Sequence, residues 1–398
     1  MKYVNTQLPL SPVNPANPLI QLTQPRRIVF GDGCAMRCAD ELAEFGLRRV
    51  FILTSPIVRA AVEPLVQQIK SAGALVEVYS AEHPEPTFVH FAEALAAARA
   101  FSPDAVIGFG GGSVLDLAKL VAALHSPAAQ TIREVVGIGL LKSRSTFLAC
   151  LPTTAGTGSE VSPNSILLDT SDHLKKGIIS RWLMPDSAYV DPLLTVSMPP
   201  AVTAATGIDA MVHCIEAYAN RHAHPAVDLY ALEGIRLIGA HIVRAVRDGR
   251  DLAARGAVAR GSLYGGLCLG PVNTAAVHAL AYPLGGEFHI AHGVSNALLL
   301  TPVLRFNLSA APARYAEIAR ALGAPAGRSD TETAEHGLAF LDQLCTDCGI
   351  PRKLSVLKIP ADAIPRLAQG ALTVQRLLKN NPREVTLADA EQIYRAAW

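Results

Sequence analysis

Four residues in the second half of the chain have the types and spacing to hold a metal ion. Asp209 and His213 stand four apart in a stretch of helical pattern, Gly207-Ile208-Asp209-Ala210-Met211-Val212-His213, so both side chains leave the same face of the helix. His278 and His292 follow, in Val277-His278-Ala279-Leu280-Ala281-Tyr282 and His289-Ile290-Ala291-His292-Gly293. One carboxylate and three imidazoles would give a divalent first-row ion a mixed nitrogen and oxygen shell. A coordination position left open would admit a substrate. The plainer alternatives stand beside this one: a histidine in an apolar helix is commonly a satisfied core residue, and Asp209 near a helix start can serve the helix dipole. His222 and His224 read as loop or surface residues.

The first half carries two loops suited to a phosphorylated ligand. Ile107-Gly108-Phe109-Gly110-Gly111-Gly112-Ser113 follows an expected strand and opens an expected helix. Three consecutive glycines let the backbone approach a phosphate closely, because no Cβ intrudes. The helix start offers unpaired N–H groups and the positive end of its dipole, and Ser113 can cap the helix or donate to the phosphate. The spacing is not the GxGxxG fingerprint. The second loop is Leu151-Pro152-Thr153-Thr154-Ala155-Gly156-Thr157-Gly158-Ser159-Glu160. Either loop alone reads equally as a tight capped turn. Two of them at the carboxyl ends of strands in one α/β region point to the edge where open sheets bind ligands. A Lewis acid and a hydride carrier do complementary work, so the loops and the metal cluster support each other.

These pieces need a scaffold. The chain has 398 residues, half of them hydrophobic, with only 6% aromatic. That is room for two or three packed domains at ~100–200 residues each. From Arg26 the pattern alternates β-branched runs with amphipathic stretches. Strands are expected through RRVFIL, at Leu75–Tyr79, Asp104–Phe109 and Thr146–Leu151, and helices at Ile57–Ala72, Phe88–Phe101 and Val114–Leu124. This alternation implies a Rossmann-like parallel sheet with helices on both faces. The character changes near Pro185–Pro192, after which Ala- and Leu-rich helical patterns dominate, as at Ala201–Ala219, Ala226–Val246, Ala253–Leu269 and Arg314–Leu322. The expected organisation is an α/β domain over residues 1–190 and an all-α domain over 191–398.

Charge excludes several functions. Lys and Arg number 35 against 34 Asp and Glu, a net charge of +1. Neither nucleic acid nor an anionic membrane is an expected partner, since each calls for a concentrated basic field. No apolar stretch reaches membrane-spanning length before charge, Gly or Pro breaks it. The first 25 residues contain five prolines and read as an extended arm, with no apolar core of a signal peptide. Seven scattered cysteines argue against a disulfide framework and for a reducing, cytoplasmic setting. Cys345 and Cys348 have the spacing of a redox or zinc pair but no second pair nearby, and read as structural.

Across residues 26–398 the chain resembles the iron-containing (group III) alcohol dehydrogenases. The resemblance is carried by GGGSVLDLAK (Gly110–Lys119), PTTAGTGSEVSPN (Pro152–Asn164), DPLLTVSMPP (Asp191–Pro200), ATGIDAMVHCIEAY (Ala205–Tyr218), HALAYPLGG and HIAHG within His278–Gly293, and the closing NNPREVTLADAEQIY. It implies a dinucleotide-binding first domain, a helical metal-binding second domain, and a cofactor in the cleft between them. The metal positions then fall on Asp209, His213, His278 and His292. The cofactor positions fall on Gly110, Gly111, Gly112, Ser113, Asp116, Thr153, Thr154, Thr157 and Lys175, and Asn164 lies near the substrate. A homodimer is expected on the same ground.

Two departures matter. Where the family commonly has a second histidine four residues after the first, used as a proton relay, this chain has Tyr282, whose hydroxyl is the substitute. Where NAD-preferring members carry an Asp after the first strand, this chain has Ser55, which removes repulsion of a 2′-phosphate and leaves NAD and NADP both open. The expected activity is metal-dependent, NAD(P)-linked interconversion of a small alcohol or hydroxy acid with its aldehyde or ketone. The expected ion is Fe(II), with Zn(II) fitting the same ligands. Such an ion would supply Lewis acidity, hydride would pass between the substrate carbon and nicotinamide C4, and the proton would leave through water, ribose hydroxyls or Tyr282. The rivals are a hydroxyacid–oxoacid transhydrogenase with tightly held nucleotide and a metal-independent enzyme like the maleylacetate reductases. Retention of all four ligand residues speaks against the latter.

Overall fold

β-Branched runs bounded by amphipathic segments set the first half of the molecule, in which strands and helices alternate. The computed structural model describes residues 18–81, 86–126, 129–171 and 174–398. In chain order its first half contains β1 (Arg27–Phe30), α1 (Arg37–Glu44), β2 (Arg49–Thr54), α2 (Arg59–Ser71), β3 (Leu75–Ser80), α3 (Phe88–Phe101), β4 (Ala105–Gly110) and α4 (Gly112–Leu124). Five strands follow: β5 (Gly137–Ile138), β6 (Phe147–Pro152), β7 (Asn164–Asp169), β8 (Leu174–Ile179) and β9 (Ser187–Val190).

Six strands form one parallel sheet in the order β1-β9-β6-β4-β2-β3. Alternate residues fill its two faces. Phe51, Leu53 and Val106 join one core with Phe91, Leu115 and Leu148. Val50, Ile52, Ala105 and Ile107 join the other with Val62, Leu65 and Ile69 of α2. The chain goes from β2 outward to β3 and returns to β4 on the other side, so the order reverses between β2 and β4. That reversal opens a crevice at the carboxyl edge, between Thr54-Ser55 and the glycine turn after β4.

The second half is helical: α5 (Pro200–Tyr218), α6 (Pro225–Arg247), α7 (Leu252–Leu269), α8 (Ala276–Phe288), α9 (His292–Asn307), α10 (Pro312–Leu322), α11 (Asp330–Asp347), α12 (Ile364–Leu372), α13 (Gln375–Leu378) and α14 (Leu387–Ala397). α5 is its axis, buried almost without break from Thr203 to Tyr218. Proline occupies the first position of α5 and α6, where its missing N–H costs nothing. Asp251 caps α7 by accepting from Ala254 N at 2.9 Å. Among the described residues no helix is long and apolar enough to cross a membrane.

Several sequence expectations need revision. The helix expected from Ile57 opens with a 3-10 turn at Pro56–Val58 before α2 proper. The Pro185–Pro192 segment, read only as a change of character, contains β9, which hydrogen-bonds both β1 and β6. A second sheet, β5-β8-β7, was not anticipated; β7 and β8 pair antiparallel and β5 joins β8 in parallel. The expected N-terminal arm lies outside the described residues as far as 17, and residues 18–25 carry no strand or helix. Cys345 and Cys348, like the other five cysteines, are buried free thiols.

Candidate metal and nucleotide site

The cluster is assembled by three helices. α5 supplies Asp209 and His213, α8 supplies His278 in its first turn, and α9 begins at His292. Asp209 Oδ1 lies 3.9 Å from His213 Nε2, 3.6 Å from His278 Nε2 and 3.7 Å from His292 Nε2. The His213 and His278 rings stack with centroids 4.8 Å apart. Donor atoms of Asp209, His278 and His292 lie within 4.8 Å of one another, the one such group among the described residues.

Glu216, which sequence reasoning did not single out, holds this cluster from behind. Its Oε2 lies 2.6 Å from His278 Nδ1, and its Oε1 accepts from Val277 N at 2.6 Å. A carboxylate there fixes the proton on Nδ1 and leaves Nε2 as the nitrogen that a cation beside Asp209 would engage. Nε2 is buried and has no hydrogen-bond partner. Asn296 of α9 braces the other side: its Nδ2 donates to Asp209 Oδ1 at 2.6 Å and lies 3.2 Å from His292 Nε2. Glu216 was readable in principle, being seven residues beyond Asp209 on the same helical face. Asn296 was not, because only the fold brings α9 to α5.

Electrostatics point the same way. Burial would raise the Asp209 carboxyl, but His292, His213 and His278 hold it well below the usual carboxylate range. Burial pushes His213 down to about 4 and His292 down to about 3. His278 is opposed by burial yet raised to about 10 by Glu216 and Asp209. Two carboxylates thus face three imidazoles of which one alone favours a proton, and a bound cation would take that proton's place. Ligands about 2.1 Å from a four-coordinate ion sit roughly 3.4 Å apart. Closing the observed 3.6–3.9 Å spacings onto an ion needs shifts of only a few tenths of an ångström. His292 has 34% of its side chain exposed, against 5% or less for the other three, so the cluster opens on that side.

That opening faces a cleft of about 540 Å³ between the sheet edge and the helices. Of the residues expected around a nucleotide, Gly112, Ser113, Asp116, Thr157 and Lys175 line it. Asn164 and Tyr282, expected near the substrate, line it too, as do all four residues of the cluster. Gly110, Gly111, Thr153, Thr154 and Ser55 do not. Gly110, Gly111 and Ser55 stand at the carboxyl ends of β4 and β2, and Thr153-Thr154 follow β6. The two loops touch: a Cβ on Gly112 would come within 2.5 Å of Thr157 Cγ2, so glycine there is required by the neighbouring loop as well as by any ligand.

Asp116 is committed within the protein. Its Oδ1 accepts from Ser159 Oγ at 2.6 Å and its Oδ2 from Ile166 N at 2.8 Å. Burial raises its carboxyl, with Lys119 opposing. Lys119, fully buried on α4 and also missed in the sequence, donates to the carbonyls of Ser162 at 2.9 Å and Asn164 at 2.8 Å. This lysine pins the backbone that presents Asn164, whose side-chain Oδ1 is buried without a partner.

Comparison with known proteins agrees with this layout. Residues 25–192 match the family model for iron-containing alcohol dehydrogenase, and residues 203–398 match the model for the C-terminal part of the Fe-containing alcohol dehydrogenase family. Long-chain-alcohol dehydrogenase 1 of Geobacillus thermodenitrificans is 39% identical over 384 residues, covering 94% of this chain and 96% of that one. A crystal structure of 1,3-propanediol oxidoreductase superposes with a TM-score of 0.92 at 32% identity, covering 96% of this chain and all of that one. Sulfoacetaldehyde reductase from Bifidobacterium kashiwanohense, solved with NAD+, gives a TM-score of 0.85 at 28% identity, covering 95% and 98%. The class is therefore an oxidoreductase acting on CH–OH groups, interconverting alcohols and aldehydes. The chain belongs to the iron-containing alcohol dehydrogenase family.

Proposed function

We propose that this chain is a metal-dependent, NAD(P)-linked dehydrogenase that interconverts a small alcohol or hydroxy acid with its aldehyde or ketone. The observation that carries this reading is His278 Nε2, buried without a partner 3.6 Å from the Asp209 carboxylate while Glu216 clamps its other nitrogen. A buried polar nitrogen left without a partner costs free energy, which a bound cation would relieve. Asp209, His213, His278 and His292 would hold a divalent ion, Fe(II) by family and Zn(II) by ligand type. Such an ion supplies Lewis acidity toward a substrate oxygen, and a nicotinamide supplies the hydride.

The rest is the work of the protein. The region up to residue 190 would bind the nucleotide, with Gly110–Ser113, Thr153, Thr154 and Thr157 against its phosphates and ribose, Ser55 near the adenosine ribose, and Lys175 countering negative charge. Asp116 would act at one remove, by fixing Ser159 and Ile166. The helices after 190 would hold the reacting centre, with Asn164 orienting the substrate and the Tyr282 hydroxyl passing the proton to solvent. The relatives are named for long-chain alcohols, 1,3-propanediol and sulfoacetaldehyde, and the last was solved with NAD+.

The test is reconstitution. Protein stripped by chelator is supplied with Fe(II), Zn(II) or nothing, then assayed for nicotinamide reduction with NAD+ and NADP+ against short alcohols and hydroxy acids. Activity returning only with metal is expected. Equal activity without metal would overturn the reading, and turnover without added nucleotide would favour the transhydrogenase. A second prediction concerns Glu216→Gln. The amide oxygen can still accept from Val277 N, but the amide nitrogen must then donate to His278 Nδ1. That moves the ring proton to Nε2 and removes its lone pair. Metal affinity is expected to fall about 10–100-fold, read by competition with a chromophoric chelator, with the melting temperature nearly unchanged.

A further inference from the structure

We infer that Arg376, whose guanidinium also holds the Tyr282 hydroxyl, binds an anionic group on the substrate, so that the preferred substrates are short alcohols and aldehydes bearing a carboxylate or sulfonate. The inference builds on the dehydrogenase reading and adds the substrate class. Arg376 lies on α13, and its Nη2 donates to the Tyr282 hydroxyl at 2.9 Å. Its guanidinium carbon is 5.8 Å from the centre of the Tyr282 ring, which in turn is 6.2 Å from the His292 ring. One tyrosine therefore separates a guanidinium from the open side of the metal cluster.

The arginine is half-buried in the cleft wall. Among the described residues no carboxylate lies within 4 Å of it. Two other half-buried arginines are paired with carboxylates: Arg144 with Asp186 at 2.6 Å and Arg314 with Asp228 at 2.6 Å. A guanidinium has five donors in a planar fork, suited to two oxygens of a carboxylate or sulfonate, and here its one acceptor among the described residues is a neutral hydroxyl.

The surrounding wall makes room for such a ligand and matches its sign. On β8, Gly177 lies beside the guanidinium, a Cβ there falling 3.4 Å from Nη2. Two residues away on the same side of the strand is Lys175, whose Nζ would lie 3.3 Å from a Cβ at Gly285, one turn beyond Tyr282 on α8. Among the described residues, only Asp116 and Asp209 bring carboxylates to the cleft. Asp116 is bonded to Ser159 and Ile166, and Asp209 belongs to the cluster. Among the described residues no carboxylate answers the Arg376 guanidinium, so a partly desolvated anion there gains charge-assisted hydrogen bonds.

The test uses holoenzyme with metal and nucleotide, and three alcohols: 1-propanol, 3-hydroxypropanoate and 2-hydroxyethanesulfonate. The measure is the ratio of kcat/KM for each anion to that for propanol, in which any loss common to all substrates from freeing the Tyr282 hydroxyl cancels. Wild type is expected to favour an anion, and the relative rates with the two anions tell carboxylate from sulfonate. Arg376→Leu is expected to lower the ratio about 10–100-fold, the range of a hydrogen bond to a charged group, and Arg376→Lys to restore part of it. An unchanged ratio overturns the inference. So does a rise in nucleotide KM without a change in ratio, which would assign Arg376 to the dinucleotide. Calorimetric titration with the two anions separates this inference from the one it builds on. Binding that depends on Arg376 without any turnover overturns the dehydrogenase reading alone. Turnover of propanol without such binding overturns the anion site alone.

Discussion

His278→Ala is expected to lose both bound metal and at least about 10³-fold in kcat/KM while remaining folded. The argument starts from what the side chain connects. His278 is the only cluster residue joined at both ring nitrogens' sides to a carboxylate, Glu216 at 2.6 Å and Asp209 at 3.6 Å. Truncation removes one ligand outright and leaves Asp209 with two imidazoles. Loss of an outer partner alone weakens metal sites about 10–100-fold, so loss of a ligand must exceed that. Without the ion, the several kcal/mol of charge stabilisation it provides to an alkoxide-like transition state is lost, and about 4 kcal/mol corresponds to about 10³ in rate. Elemental analysis after dialysis against a weak chelator reads the metal, and thermal unfolding reads the fold. The buried Glu216 keeps its bond from Val277 N at 2.6 Å, which limits the structural damage. Wild-type rates in a metal-free His278→Ala protein would sink the whole account of the cluster.

How much of this was visible in the sequence differs by element. Long helices with one apolar pattern were read nearly to the residue: Phe88–Phe101 has the same bounds in the structure, and α5, α6 and α7 begin or end within a residue or so of expectation. The small sheet was missed for a physical reason. β8 reads Leu-Lys-Lys-Gly-Ile-Ile, and two lysines and a glycine give neither a buried run nor clean alternation. Its stability comes from pairing with β7 and β5, which is not local. The same limit applies to the site. Side chains on one helix, such as Asp209 and His213, declare their shared face by spacing. Asn296 against Asp209, Lys119 under Asn164, and Arg376 against Tyr282 join residues 45 to 94 positions apart. No periodicity reports those encounters. Nor could the glycine-rich turn alone say why Gly112 is glycine, since the answer is Thr157 on another loop.

Gly158→Ala is expected to cost on the order of 3 kcal/mol of stability and to weaken nucleotide binding at least about 10-fold. Gly158 sits in the loop after β6 with φ +61°, in the left-handed region. An alanine there carries roughly 1–2 kcal/mol of backbone strain. It also meets a wall: its Cβ would fall 2.3 Å from Gly266 Cα and 2.8 Å from Gly266 N, on α7. Because the obstacle is helix backbone, no rotamer change relieves it, and overpacking of this kind costs a further ~1–3 kcal/mol. Moving the loop away from α7 instead would displace its neighbours. Thr157 packs on Gly112 at the start of α4, and Ser159 Oγ holds Asp116 at 2.6 Å. Both sides of the proposed phosphate cradle would therefore shift together. Gly139→Ala is the internal control, since Gly139 also has positive φ, +74°, but a Cβ there meets nothing within 4 Å. The control should lose stability through strain alone and keep its nucleotide affinity. A Gly158→Ala protein that matched the control in both melting temperature and nucleotide dissociation constant would show that the contact with Gly266 does not set the position of the loop.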